Sequence, residues 1–263
     1  MTFMDVMPLL FPATFIAFLI LERLVPARPL PHVKWWLVKG IVFFVAGSAA
    51  NAIVPTLVLA ALGDRSVLHL ASLGTVGGAL AMVLLSDLIG YWIHRGLHSS
   101  ERVWRFTHQL HHSAERMDMA GTAYFHPLDV MAQQVVPSIV IVAFLGVTPM
   151  AAAIGGFLGF LMGVSPHLNV RTPAWIGHLF QRPEMHALHH QRGVHAYNYG
   201  VLALSDRVFG TWRNPRSFGE EEYGFWDGAS IEVGLMMRGR DVTRPRRAVQ
   251  AAEGVTAAAR SAS

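Results

Sequence analysis

The chain has 263 residues, of which 52% are hydrophobic and only 14% charged, and its mean hydropathy is +0.38. A soluble domain of this length rarely carries so few charges, so composition points to a membrane protein. The absence of cysteine excludes disulfides, thiolate metal ligands and cysteine nucleophiles, and the formal charge of +4 sits beside apolar segments, which favours anionic lipid headgroups over nucleic acid as its partner.

Five apolar segments follow in chain order: Met7–Leu21, Val38–Leu62, Leu70–Ile93, Val130–Leu145 and Pro149–Val164. The first and the last two are close to the lower limit of roughly 17–20 residues for crossing a ~30 Å hydrocarbon core. The last two, joined at Gly146–Pro149, can therefore form a hairpin that does not cross fully. The first segment has no basic flank or small-residue cleavage site, so it reads as a retained helix rather than a signal peptide. Arg23, Arg28 and Lys34 follow the first segment, and Arg95, Arg102, Arg105 and Arg116 follow the third, while the opposite loops offer only Arg65. This asymmetry places the N-terminus outside and the polar insertions 94–127 and 165–228 in the cytoplasm. The fold expected is all-α: an integral membrane bundle of four to five helices with a cytoplasmic helical cap. Residues 1–238 read as one domain, and 239–263 as a disordered basic, Ala-rich tail.

Three histidine clusters lie in the insertions: His94 and His98 (HRGLH), His108, His111 and His112 (HQLHH), and His186, His189 and His190 (HALHH). Spacings of three and four put the rings of each cluster on one helical face. Neutral imidazole is the commonest protein ligand for transition metals, and a structural zinc site needs only four ligands, so eight clustered rings imply two ions. In each HxxHH unit the first and third rings can converge on one ion while the second leans toward its neighbour. His167 is a candidate ninth ligand, and His126 is a ligand or a support beside the ligands. Asp87, an acid within a membrane segment on the same helical face as His94, is expected to pair and to serve the site, as is Asp206 after the third cluster. Glu115 and Asp118 continue the chain after His112 and are candidates for the same work. His178 is an ordinary polar histidine, and so is His195, although it is near enough to His190 to donate to it. His32 and His69 fall outside the pattern, His69 on the opposite side of the membrane.

Bis-histidine haem leaves the triplets unexplained, and a HEXXH protease is excluded because Arg95 stands where the general base belongs. A non-catalytic metal-binding protein and a zinc-dependent lipid hydrolase remain as alternatives. A site facing lipid favours oxidation, because an unactivated C–H bond requires a redox metal, whereas hydrolysis needs an ester or amide and a base.

Seven motifs in order carry a resemblance: Asp87 with HRGLH, WRFTHQLHHS (Trp104–Ser113), FHPLD (Phe125–Asp129), PHLNVR (Pro166–Arg171), PEMHALHH (Pro183–His190), NYG (Asn198–Gly200) and DRVFGTW (Asp206–Trp212). Over residues 85–213 the chain resembles the fatty acid hydroxylase/sterol desaturase superfamily. The resemblance implies a membrane di-iron oxygenase that uses O2 and two electrons to hydroxylate or desaturate a lipid. It implies metal ligands at the eight clustered histidines, with His167 in an extra-histidine position, and two iron ions, with zinc possible in purified protein. The family usually has Glu at Asp129 and Trp at Ser205, and neither departure is expected to touch a ligand. The HxxxH spacing fits the sterol-oxidase side better. No flavin, nicotinamide or haem motif is present, so electrons must come from an external donor, ferredoxin or cytochrome-b5-like, which Arg102, Arg105, Arg192 and Arg207 can dock.

Overall fold

The computed structural model describes residues 2–62, 66–220 and 222–245, and among these every regular element is helical. Helix α1 (Phe3–Leu24) is longer than its apolar core because Thr2 and Asp5 close a capping box around its first turn. Helix α2 spans Trp36–Leu62, and a 3₁₀ turn at Leu70–Leu73 leads into α3 (Gly74–Leu97). Two short helices, α4 (Glu101–Phe106) and α5 (Gln109–His112), and a 3₁₀ turn at Met119–Gly121 make up the first polar insertion.

The fourth apolar segment is composite: α6 (Pro127–Val130), a π turn (Met131–Val135) and α7 (Val136–Leu145). Pro137 has no N–H and would crowd the Gln133 carbonyl of a regular helix, and the π turn lies at that point. Helix α8 (Pro149–Val164) follows a turn in which Gly146 takes a positive φ of 58° and Thr148 caps the new helix through Ala151 N. Among the described residues, five stretches are long and apolar enough to cross a membrane. The last two, Pro127–Leu145 and Pro149–His167, have 19 residues each, so length does not require the incomplete hairpin that the shorter segments suggested.

Helices α3 and α8 run side by side through small residues. A side chain at Gly78 would meet Ala151, and one at Gly155 would meet Met82 and the Ala79 carbonyl. Close backbone approach of this kind is how membrane helices associate where no hydrophobic drive exists between them. Phe11 against Phe160 and Phe15 stacked on Phe44 at 4.0 Å join α1 to α8 and α2.

The second insertion carries α9 (Pro183–His190) and α10 (Ala203–Val208), and α11 (Val233–Met236) closes the described chain. The start of α9 is fixed by Arg182, fully buried and paired with Glu184 at 2.9 Å. Its other donors reach Thr172, Asn214 and the Pro215 carbonyl, so this buried charge is satisfied. The tail expected to be disordered from 239 is held at its beginning. The Gln109 amide donates to the Arg240 carbonyl and accepts from Val242 N, and Val242 is buried. Residues 246–263 of that expectation lie outside the described residues.

Candidate metal centre

The nine histidines singled out in the sequence come together from the end of α3, the turn after α8, and α5 and α9. They form two groups: His94, His98, His108, His112 and His189, and His111, His167, His186 and His190. Within each group one ring nitrogen per residue lies within 4.8 Å of all the others. The i, i+4 pair of α5 and its cap, His108 and His112, faces the first group while His111 crosses to the second. In α9, His186 and His190 face the second group and His189 crosses to the first.

The ring orientations are fixed from outside. His94 Nδ1 donates to the Tyr199 carbonyl at 2.9 Å, His189 Nδ1 to the Tyr197 carbonyl at 2.8 Å, and His108 Nδ1 to the Asp129 carboxylate at 2.7 Å. Each of these bonds leaves a bare lone pair on Nε2, yet His94 Nε2 and His108 Nε2 face each other at 3.0 Å. With both rings neutral in these tautomers, two lone pairs converge as they would on a shared cation. In the second group the Nε2 atoms form a chain at 3.0 to 3.2 Å from His111 through His167 and His186 to His190. Buried ring nitrogens of His98, His111, His112, His167, His186 and His189 have no hydrogen-bond partner. Burial first, and then the crowding of neighbouring rings, holds the pKa of His98, His111, His112, His186, His189 and His190 well below the ordinary imidazole value. They are therefore neutral, the form that binds metal. A buried, cysteine-free set of converging imidazoles fits two transition-metal ions.

The carbonyls that aim His94 and His189 lie on a strained loop. His195, Tyr197 and Asn198 all have positive φ (44°, 69° and 49°), a region sparsely used by residues other than glycine. The loop is held by two buried acids. Asp206 accepts from Tyr199 N, Gly200 N and the Thr211 hydroxyl, and Asp87 accepts from Val201 N, Leu202 N and the Ser205 hydroxyl. Four successive backbone amides are thus satisfied by two carboxylates.

Several expectations need correction. Asp87 and Asp206 touch no clustered ring in the recorded bonds and act through the loop. His126 lies outside both groups: its Nδ1 accepts from Leu128 N and caps α6, and its Nε2 reaches the Met237 carbonyl. His195 approaches His112 (Nδ1 to Nδ1, 3.0 Å), not His190. Glu115 accepts from Gly228 N and Ser230, and Asp118 from Trp36 Nε1, so both tie the cap together instead of serving the rings. Ser205 bonds Asp87, and Asp129, expected to touch no ligand candidate, bonds His108. The signal for Asp129 was available: an acid at the start of an apolar helix is costly unless paired, the argument already applied to Asp87. His178 meets Arg207, His69 meets Ser66 near the far end of α3, and His32 is exposed and remote.

The sequence model of the fatty acid hydroxylase family matches residues 79–211, half of the chain and the part that carries all nine rings. An ornithine lipid hydroxylase of Rhizobium tropici is 32% identical over 130 residues, covering 48% of this chain and 38% of that one. Sphinganine C4-monooxygenase 2 of Arabidopsis thaliana is 25% identical over 201 residues, 75% and 73% of the two chains. Human lathosterol oxidase is 29% identical over 144 residues, 53% and 46%. The chain thus spans less than half the length of the first and third of these relatives. No solved structure matches it.

Proposed function

The chain belongs to the fatty acid hydroxylase family, and from that premise we propose that it is a membrane oxygenase that hydroxylates or desaturates a lipid. The observation that carries this reading is the pair of buried imidazole groups, in each of which one ring nitrogen per residue lies within 4.8 Å of all the others. His94, His98, His108, His112 and His189 would hold one iron, and His111, His167, His186 and His190 the other. When bound, the two irons supply O2-dependent redox chemistry equal to an unactivated C–H bond, with two electrons from an external donor.

The chain's own part is positional. The Tyr197 and Tyr199 carbonyls and Asp129 keep the outer nitrogens protonated, so that Nε2 of His189, His94 and His108 is presented for ligation. Burial of the rings excludes bulk water. Phe125, stacked on His111 at 4.2 Å, gives the site an apolar surface for a hydrocarbon chain. The relatives named above are named for oxidising lipids, which supports a lipid substrate, and the arginine-rich loops support a cytoplasmic site. Of the residues assigned to dock an electron donor, Arg102 is exposed and free to serve, whereas Arg192 already pairs with Glu222 and Asp227.

The deciding experiment is metal analysis of purified protein combined with lipid turnover in air and under anaerobiosis. About two irons per chain with O2-dependent product is the expected result. Zinc alone with no turnover, or product formed equally without O2, overturns the reading.

A further inference from the structure

The cap exposes large apolar side chains on one surface. Helix α10 exposes Leu204 (57%) and Val208 (66%), one turn apart, and the turn at 174–180 exposes Trp175 (66%), Leu179 (57%) and Phe180 (42%). The two stretches are a single surface: Ala203 N donates to the Leu179 carbonyl at 3.0 Å and Gln181 N to the Val201 carbonyl at 2.9 Å.

The depth of this surface is set by α3. Val201 N, Leu202 N and the Ser205 hydroxyl bond Asp87, and Phe209 packs on Tyr91 and Trp92 at ring separations of 5.0 and 4.7 Å. Asp87 lies within the 28-residue apolar stretch Leu70–Leu97. At ~1.5 Å per residue that stretch is about 42 Å long, roughly 12 Å more than the hydrocarbon core, and Asp87 is about 15 Å from its end. Even with all the excess placed beyond the cytoplasmic boundary, Asp87 lies about 3 Å inside the core, and the chain bonded to it sits at about that depth. Helix α3 also presents an outward stripe, Leu80, Leu84, Leu88 and Trp92, all exposed and four residues apart, which runs directly to Phe209.

Irregular backbone survives at this depth only if its polar groups are paired inside the protein. The amides of 199–202 are paired in this way, with Asp206 and Asp87. Arg207, the exposed charge on α10, folds over the Trp212 ring at 4.4 Å and donates to His178, as long cationic side chains do at an interface.

We propose that residues 174–180 and 203–209 form a lip embedded in the cytoplasmic leaflet, with Leu204, Val208, Leu179 and Trp175 among lipid chains. Arg207 then belongs to the membrane side of the cap and not to a docking site for an electron donor. The strained loop that aims His94 and His189 is the inner wall of this lip, so the bilayer bears on the geometry of the centre. The inference rests on α3 crossing the membrane, not on the metal or the oxygenase reading, and its test needs neither.

The cysteine-free chain allows single-site labelling without prior substitution. Leu204→Cys, Val208→Cys and Leu179→Cys, at exposed positions that leave packing intact, are labelled with a nitroxide in phosphatidylcholine–phosphatidylglycerol vesicles. Leu88→Cys serves as the lipid reference and Asp227→Cys as the aqueous one. Collisions with O2 should exceed those with a water-soluble nickel chelate several-fold at the lip, as at Leu88. A pattern like that of Asp227 overturns the proposal. Unsubstituted protein gives a second readout: a phospholipid with an acyl-chain diazirine should label peptides covering 174–180 and 203–209. Adducts confined to the five apolar stretches overturn the proposal as well.

Discussion

Among the clustered rings His108 has a carboxylate on its outer nitrogen: Asp129 accepts from Nδ1 at 2.7 Å and is itself held by Gln133 at 2.6 Å. A carboxylate behind a ligand histidine fixes its tautomer and raises its basicity, and losing such a partner costs roughly 10–100-fold in metal affinity. Asp129→Asn should therefore lower iron retention against a chelator by about 10-fold, and Asp129→Leu by about 100-fold. Circular dichroism should show unchanged helix content, and equal retention in all three proteins would remove Asp129 from the site. The two groups also predict a stoichiometry. His189→Ala and His111→Ala should each abolish lipid turnover, and each should weaken one ion more than the other, so that plasma mass spectrometry reads close to one iron per chain instead of two. His69→Ala, beyond the far end of α3, should retain both iron and turnover. A large loss there would contradict the helix order.

At the scale of elements, the site depends on a loop that has no regular structure. The periodicity of the HxxHH runs was legible because an i, i+3, i+4 pattern dictates which way rings point on any helix, however short. The loop at 195–202 was not legible, because its work is done by carbonyls and amides that every residue possesses. Gly200 is where the loop is tightest: a Cβ there would lie 2.9 Å from Asp87 Oδ1 and 3.0 Å from the Leu202 carbonyl. Gly200→Ala should push the loop off its two acids and draw the Tyr199 carbonyl away from His94. The expected result is a severalfold loss of iron retention, with the protein still recovered from membranes in normal amount. Full retention would mean that the loop tolerates movement and does not set the ring. The partners of Asp87 and Asp206 were not legible for the same reason. Sequence shows that a membrane acid needs a partner, but the partners are backbone amides far along the chain, and no side-chain pattern announces them.

For the molecule as a whole, contiguous apolar runs were enough to predict the apolar helices, because lipid demands long apolar runs whose backbone is self-satisfied. Which helices touch was not legible, because contacts between membrane helices rest on small residues that are scattered through every span here. The structure singles out one seam. Helix α3 carries His94 in its last turn and α8 leads to His167, so the packing of these two helices bears on the distance between the two imidazole groups. Gly155 lies in that seam, its Cβ position 2.9 Å from Met82 Cβ, while Gly156 beside it has open space. Gly155→Leu must wedge the helices apart, and overpacking of this kind costs about 1–3 kcal/mol. We expect a lower midpoint of thermal unfolding in detergent and less iron bound per chain, whereas Gly156→Leu should match the parent protein in both. If the two variants behave alike, the α3–α8 seam is not what holds the metal groups in register. A loss confined to Gly155→Leu would show that the bundle and the centre are one mechanical unit.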